Sequence, residues 1–251
     1  MKRSNVKQIT DFALAWRLLT VIPLPFIPAD SNRPAGLAAA YYPLVGLILG
    51  LLLAGAGWIV SLFFPVGLAA ALLLTLWASL TGLLHLDGFM DSCDGLLPPR
   101  EPARRLEIMK DSRVGAFGAI GVVLLLLVKF NALAALPAEY RLTGLIVIPV
   151  LARWAVTWVM VRYPLARREG ASVFFSAGLG WPQVIIASAI AAATAVGGLG
   201  WLGLLLGGIA WLVMTLISAL AMARIAGLTG DVYGAICEVV ETALLLALAL
   251  R

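Results

Sequence analysis

Seven stretches of this 251-residue chain, at about 38–62, 66–84, 114–136, 142–161, 181–199, 201–222 and 232–250, are apolar almost without interruption. Each is close to the roughly 20 residues a helix needs to cross the hydrocarbon of a bilayer. A backbone in lipid must satisfy its own hydrogen bonds, which leaves helices or a closed barrel. Barrel strands alternate polar and apolar residues, whereas these runs are continuous and rich in Leu and Ala. The predicted fold is therefore all-α, a polytopic integral membrane helix bundle of about seven spans. Composition agrees, with 62% hydrophobic and only 12% charged residues, about half the roughly 25% charge of a soluble domain.

Met1-Lys2-Arg3 carry the charge of a signal-peptide start, but Asp11, Arg17, Pro23 and Pro25 follow, and no small-residue cleavage site appears. Residues 8–28 read instead as an N-terminal amphipathic segment on the membrane surface, because Asp and Arg are expensive inside it. Two cysteines, Cys93 and Cys237, supply neither a disulfide framework nor metal spacing and read as structural. Tyr41, Tyr42 and Trp181, near span ends, read as interface anchors. No repeat of 20–50 residues is visible, so residues 1–251 read as one membrane-embedded domain.

Orientation follows from the basic residues. The segments 1–37, 85–113, 162–180 and 223–231 alternate onto one side and hold fourteen Lys and Arg, against Arg141 and Arg251 on the other. Lys129 and Arg153 lie inside spans. The positive-inside rule then puts the amino terminus and the long links in the cytoplasm. The net charge of +5 belongs to these links and not to a nucleic-acid surface.

The acids carry the chemistry. Asp87, Asp91 and Asp94 are spaced i, i+4, i+7, which stacks three carboxylates on one helix face with no basic residue among them. A divalent cation would remove that repulsion, and Mg²⁺ suits hard carboxylate oxygens and substrate phosphates. Asp231, Glu238 and Glu241 form a second set on one face of the last span, opening on the same side. All six are candidate metal ligands. Glu238, partly buried, is the candidate general base, and the competing reading pairs Glu238 and Glu241 with Arg153. The link after the first set supplies Arg104, Arg105, Lys110 and Arg113. With Arg153, these would stabilise the charge that develops in metal-assisted phosphoryl transfer. Arg104, Arg105 and Arg113 also read simply as topology determinants. Three glycines, Gly115, Gly118 and Gly121, would let a neighbouring helix or a substrate approach closely.

The run His85-x-Asp87-Gly88-x-x-Asp91-x-x-Asp94-Gly95, followed by Arg105-Leu106-Glu107-Ile108-Met109-Lys110-Asp111-Ser112-Arg113-Val114-Gly115, resembles the cobalamin synthase family, the adenosylcobinamide-GDP ribazoletransferases. Phe12 through Pro25, Tyr42-Pro43-Leu44-Val45-Gly46, Ala166-Arg167-Arg168-Glu169-Gly170 and Thr229-Gly230-Asp231-x-x-Gly234-Ala235-x-x-Glu238-x-x-Glu241 resemble other family segments. Nothing is carried over for Ala171–Gly180. The resemblance implies Mg²⁺-dependent attack of an α-ribazole hydroxyl on adenosylcobinamide-GDP, with GMP leaving; α-ribazole 5′-phosphate would also serve. The combined reading makes Asp91, His85, Glu238 and Lys110 catalytic, and Arg104, Arg105, Arg113, Arg153 and Arg167 substrate-binding. The site would be built from 85–113, 153–170 and 229–241, in a bacterial inner membrane. Expected partners are these small molecules and the bilayer, not nucleic acid; a second copy or other enzymes of the same pathway are the candidate protein partners.

Two other classes compete. CDP-alcohol phosphotransferases also use an Asp-Gly motif, but theirs runs Asp-Gly-x-x-Ala-Arg, and Asp87-Gly88 leads to Asp91. A cation-coupled transporter should place acids near mid-membrane and within reach of both sides, whereas these open on one side. The topology makes a direct prediction: a reporter fused after Arg251 should behave as periplasmic. A cytoplasmic signal there would mean that the span count is off by one.

Overall fold

The computed structural model describes residues 2–24, 33–167 and 169–250. Residues 25–28 of the expected surface segment, Arg168 and Arg251 lie outside them. Among the described residues the chain is helical with no strand. Helix α1 (Lys2–Leu19) is followed by a 3₁₀ turn (Ala35–Tyr41) that runs into α2 (Tyr42–Phe63). Then come α3 (Val66–Leu80), α4 (Leu84–Leu96), α5 (Pro102–Ile108), α6 (Ala116–Ala135), α7 (Ala138–Arg162), α8 (Ala171–Ser176), α9 (Trp181–Leu199), α10 (Trp201–Ile225) and α11 (Gly230–Ala249). Six helices, α2, α6, α7, α9, α10 and α11, are long and apolar enough to cross a membrane. The α3–α4 pair makes a seventh crossing only as a bent unit. Helix α1 is not among them.

Charge and apolarity sort the helices into layers. Helices α7 and α11 are surrounded by protein, whereas α2, α6, α9 and α10 turn Leu52, Trp58, Leu124, Ile185, Leu204 and Leu212 outward. Such an apolar rim is what lipid covers. Lipid gives helices little hydrophobic reason to associate, so close backbone approach carries the packing. Helix α2 meets α7 in this way: a Cβ on Gly46 or Gly50 would lie 2.6–2.7 Å from backbone atoms of Pro149 and Ile146.

The expected span at 66–84 ends early. Helix α3 has 15 residues, about 22 Å at 1.5 Å each, short of a roughly 30 Å hydrocarbon layer. Gly82 and Leu83 then both adopt left-handed backbone (φ 61° for each), and α4 leaves at 88° to α3. Left-handed backbone is easy for glycine and costly for leucine. Two contacts surround this corner: the Val21 N–H donates to the Leu80 carbonyl (3.0 Å), and Trp16 Nε1 donates to the Ile22 carbonyl (2.8 Å). The chain after α1 thus braces the bend. Asp11, buried on α1, accepts from Arg33 (Nε to Oδ1 2.6 Å), which explains how an amphipathic segment tolerates an inward carboxylate.

Four charges are buried between α6, α7 and α11. Lys129 on α6 donates to Glu238 (2.7 Å) and Glu241 (2.5 Å) on α11, and Arg153 on α7 is bonded to Glu241. The Lys129 ammonium also lies 4.6 Å from the ring centroid of Trp77 on α3, a cation–π contact. Two cations meet two anions, so the group is neutral as a whole. This favours the structural reading of Glu238 and Glu241, with one addition: Lys129, unassigned from sequence, engages both. Removing one member leaves an unpaired buried charge, at a cost of about 3–5 kcal/mol. Lys129→Met should therefore lower the melting temperature of the detergent-purified protein sharply. Adding Glu238→Gln should recover part of that loss, because each neutralised partner relieves the other. A double variant no more stable than Lys129→Met would refute the pairing.

Candidate active site

Helix α4 crosses the first turns of two spans, and the glycines explain how. A Cβ on Gly88 would lie 2.8 Å from the Asp231 carbonyl, and one on Gly234 would lie 3.0 Å from the His85 carbonyl. The α4 backbone is therefore pressed against the start of α11. On its other side Gly115 and Gly118 face Asp94, and Gly121 faces Cys93, so the neighbour that the glycine triplet admits is α4 itself.

The three α4 carboxylates differ in environment although they share a face. Asp87 is exposed, Asp91 half-buried and Asp94 buried. Asp94 accepts the backbone N–H of Gly115 (2.8 Å) and of Gly118 (2.9 Å). Those are N–H groups of the first turn of α6, which have no partner within the helix. The Gly115 cap position has no side chain to offer, and Asp94 supplies the capping oxygen from another helix. Asp94 thus spends both oxygens on holding α4 to α6.

Asp231 joins Asp87 and Asp91 from α11. Thr229 caps that helix, accepting from the Val232 N–H (3.3 Å), and its hydroxyl donates to Asp231 (3.1 Å). Arg167 stands 3.5 Å from Asp231. A short bridge between Leu165 and Leu228 fixes that approach, with Ala166 N–H donating to the Leu228 carbonyl (2.8 Å) and Leu228 N–H to Pro164 (2.8 Å). Burial pushes the Asp91 carboxyl up to about 7, and the charges of Asp231, Asp87 and Asp94 add to this, against a smaller opposing effect of Arg167. Mutual repulsion of that kind is what a cation relieves.

The donor set fits Mg²⁺, which takes hard oxygens, keeps several waters and commonly uses one or two carboxylates plus substrate phosphates. Among the described residues no three Asp, Glu, His or Cys side chains form a ready-made metal cage. Asp87, Asp91 and Asp231 are the carboxylates at this spot. Glu238 and Glu241 belong to the buried ion group further along α11, together with Lys129 and Arg153.

His85 is buried, and burial followed by the Arg153 charge lowers its imidazole to about 3. It is neutral at physiological pH. Arg105 is also buried, donating to the carbonyls of Gly95, Leu96 and Arg100, each at 2.8 Å. It satisfies the C-terminal end of α4 and ties that end to α5, an occupation that sequence spacing did not reveal. Arg104, Lys110 and Arg113 are exposed. Arg104 pairs with Glu107 (2.8 Å), and Arg113 pairs with Asp111 (2.6 Å), whose carboxyl the Arg113 hydrogen bonds hold down to about 2. Arg167 also donates to the Leu106 carbonyl (3.1 Å). An open basin between α5 and residues 166–169 is lined by Glu107, Lys110, Arg167 and Glu169.

A cavity of about 220 Å³ lies beneath α4, between α1, α2, α7, α8 and α11. Asp87 and Asp231 line it, as do Tyr42, His85 and Tyr233. Tyr42 is not the interface anchor expected from its place at a span start; it is 2% exposed. Helix α8, within the stretch for which no family likeness was carried over, contributes Ser172 and Phe175.

Comparison with known proteins fits this arrangement. The family model described as cobalamin-5-phosphate synthase matches residues 11–249. The adenosylcobinamide-GDP ribazoletransferase of Roseiflexus sp. (strain RS-1) is 37% identical over 94% of this chain and 88% of its own. The protein of that name from Geotalea daltonii is 39% identical over 94% and 96%, and that from Desulforamulus reducens 39% over 93% of each. No solved structure matches the chain. With a family model covering the acid-bearing helices and the spans that hold them, this chain belongs to the cobalamin-5-phosphate synthase family.

Proposed function

We propose that this chain transfers the phosphocobinamide group of adenosylcobinamide-GDP to α-ribazole, releasing GMP, at the cytoplasmic face of a bacterial inner membrane. The observation that carries this reading is the convergence of Asp87, Asp91 and Asp231 beside Arg167, between a basic surface and a cavity. The relatives' printed names supply the substrates. The asymmetry of basic residues supports the orientation.

A ribose hydroxyl of α-ribazole attacks the phosphorus on the corrinoid side of the diphosphate. An O–P bond forms, the bridging P–O bond breaks, and GMP leaves with its electron pair. The hydroxyl proton passes to a carboxylate of this group. Mg²⁺ held by Asp91 with Asp87 and Asp231 would neutralise the diphosphate oxygens under attack. Lys110 and Arg167, facing the open basin, would bind the guanosine diphosphate arm, whose charge they complement. Glu238 is engaged by Lys129, so the base belongs among the exposed carboxylates. A transporter reading loses its main support, because the deep acids are neutralised by Lys129 and Arg153.

Asp91→Asn keeps side-chain size and removes the charge. GMP release from adenosylcobinamide-GDP, with α-ribazole and Mg²⁺ present, should fall by about a hundredfold or more, while the melting temperature holds. Near-normal turnover by that variant at limiting Mg²⁺ would remove Asp91 from the metal site.

A further inference from the structure

The cavity beneath α4 contains an imbalance that the reaction chemistry does not explain. Tyr42, His85 and Tyr233 are 2%, 5% and 8% exposed, and the Tyr42 hydroxyl, His85 Nδ1 and Tyr233 hydroxyl have no hydrogen-bond partner among the described residues. All three side chains line the same cavity. A buried polar group left unsatisfied is expensive, and three around one space point to a ligand that pairs with them. The remaining wall is apolar, with Leu18, Leu19, Val156, Met160 and Phe175. Among the described residues neither Lys nor Arg lines it, and the charged groups that do are the carboxylates of Asp87 and Asp231.

We propose that this cavity is the acceptor subsite, holding the aromatic base of a neutral nucleoside among Tyr42, His85 and Tyr233, with its ribose toward Asp87 and Asp231. The assignment rests on the transferase reading above and adds where one substrate sits and which residues select it. The apolar walls accept a flat ring, and a side-chain rotation at Tyr42, His85 or Tyr233 would turn an unpaired polar atom toward a ring nitrogen or a ribose oxygen. A phosphate finds no cation inside, so a 5′-phosphate on the nucleoside must project out past α4. At about 220 Å³ the space lies just under the range typical of drug-sized ligands, which excludes a corrin macrocycle. The corrinoid therefore stays outside, and the two substrates meet at the acid group from opposite sides. Because Asp87 and Asp231 line both the cavity and the acid group, a ribose hydroxyl in this pose lies next to the carboxylates without any movement of the helices.

The test uses the full chain in lipid nanodiscs, with α-ribazole alone as the probe and equilibrium dialysis as the readout. Tyr42→Phe and Tyr233→Phe keep ring shape and delete one hydroxyl each. Each should weaken α-ribazole binding about tenfold and raise the KM for α-ribazole, not that for adenosylcobinamide-GDP. Val156→Phe fills the cavity and should abolish nucleoside binding. Melting curves identify any variant that fails to fold, and the two tyrosine variants carry the test if Val156→Phe does so. Unchanged nucleoside affinity in folded Tyr42→Phe and Tyr233→Phe would overturn the assignment, as would a KM effect confined to the corrinoid. A co-purified phospholipid that α-ribazole does not displace would also overturn it. Binding and turnover separate the two readings. A chain that binds α-ribazole through these tyrosines yet releases no GMP would refute the transferase reading alone. GMP release with unaltered nucleoside affinity in the variants would refute the subsite alone.

Discussion

Four charges buried between three spans organise this molecule. Glu238 and Glu241 are carried into the bundle by α11, and only the simultaneous approach of Lys129 from α6 and Arg153 from α7 makes their burial tolerable. Isolated ions in a low-dielectric interior cost several kcal/mol each, and geometry alone recovers that cost. The ion group therefore ties together the three helices whose ends matter. Helix α6 begins at the Asp94 cap, α11 begins at Asp231, and α7 supplies a wall of the cavity. A buried pairing of this kind earns its place by fixing register between helices that lipid would otherwise let slide.

The second organising element is the corner at Gly82–Leu83. A straight continuation of α3 would have carried the aspartates of α4 away from the starts of α6 and α11. The 88° turn instead lays α4 over the first turns of α6 and α11. Three contacts then fix it: Asp94 on the α6 amides, Gly88 against α11, and Arg105 on the last carbonyls of α4. Only Asp87 and Asp91 are left to face outward with Asp231. The motif thus divides its labour, with one aspartate building the platform and two presented on it.

Electrostatics changes sign across this platform. Among the described residues the carboxylates of Asp87, Asp91 and Asp231 at its centre outnumber the cations beside them, with exposed Lys110 and Arg104 on the α5 side and, on the other, a largely apolar cavity that Asp87 and Asp231 also line. The proposed reaction, which joins a diphosphate to a hydroxyl, would use this order: the anionic substrate would approach from the basic side, a bound cation would mediate, and the acceptor would sit beside Asp87 and Asp231.

The sequence by itself determined the membrane bundle, because uninterrupted apolar runs of span length have no other stable folded form in lipid. It also determined that the aspartates of 87–94 and Asp231 lie at one end, since span counting and helical spacing are local arithmetic. Tertiary structure alone decided which carboxylates are spent and which are presented. The spacing of Asp87, Asp91 and Asp94 is the same whether a residue faces solvent or caps a neighbouring helix, and only the arrival of Gly115 and Gly118 distinguishes Asp94. Likewise Lys129 lies 109 residues from Glu238, and Tyr42 and Tyr233 meet one cavity from α2 and α11. No local pattern encodes such partners, because which side chains share a buried space depends on how the helices pack.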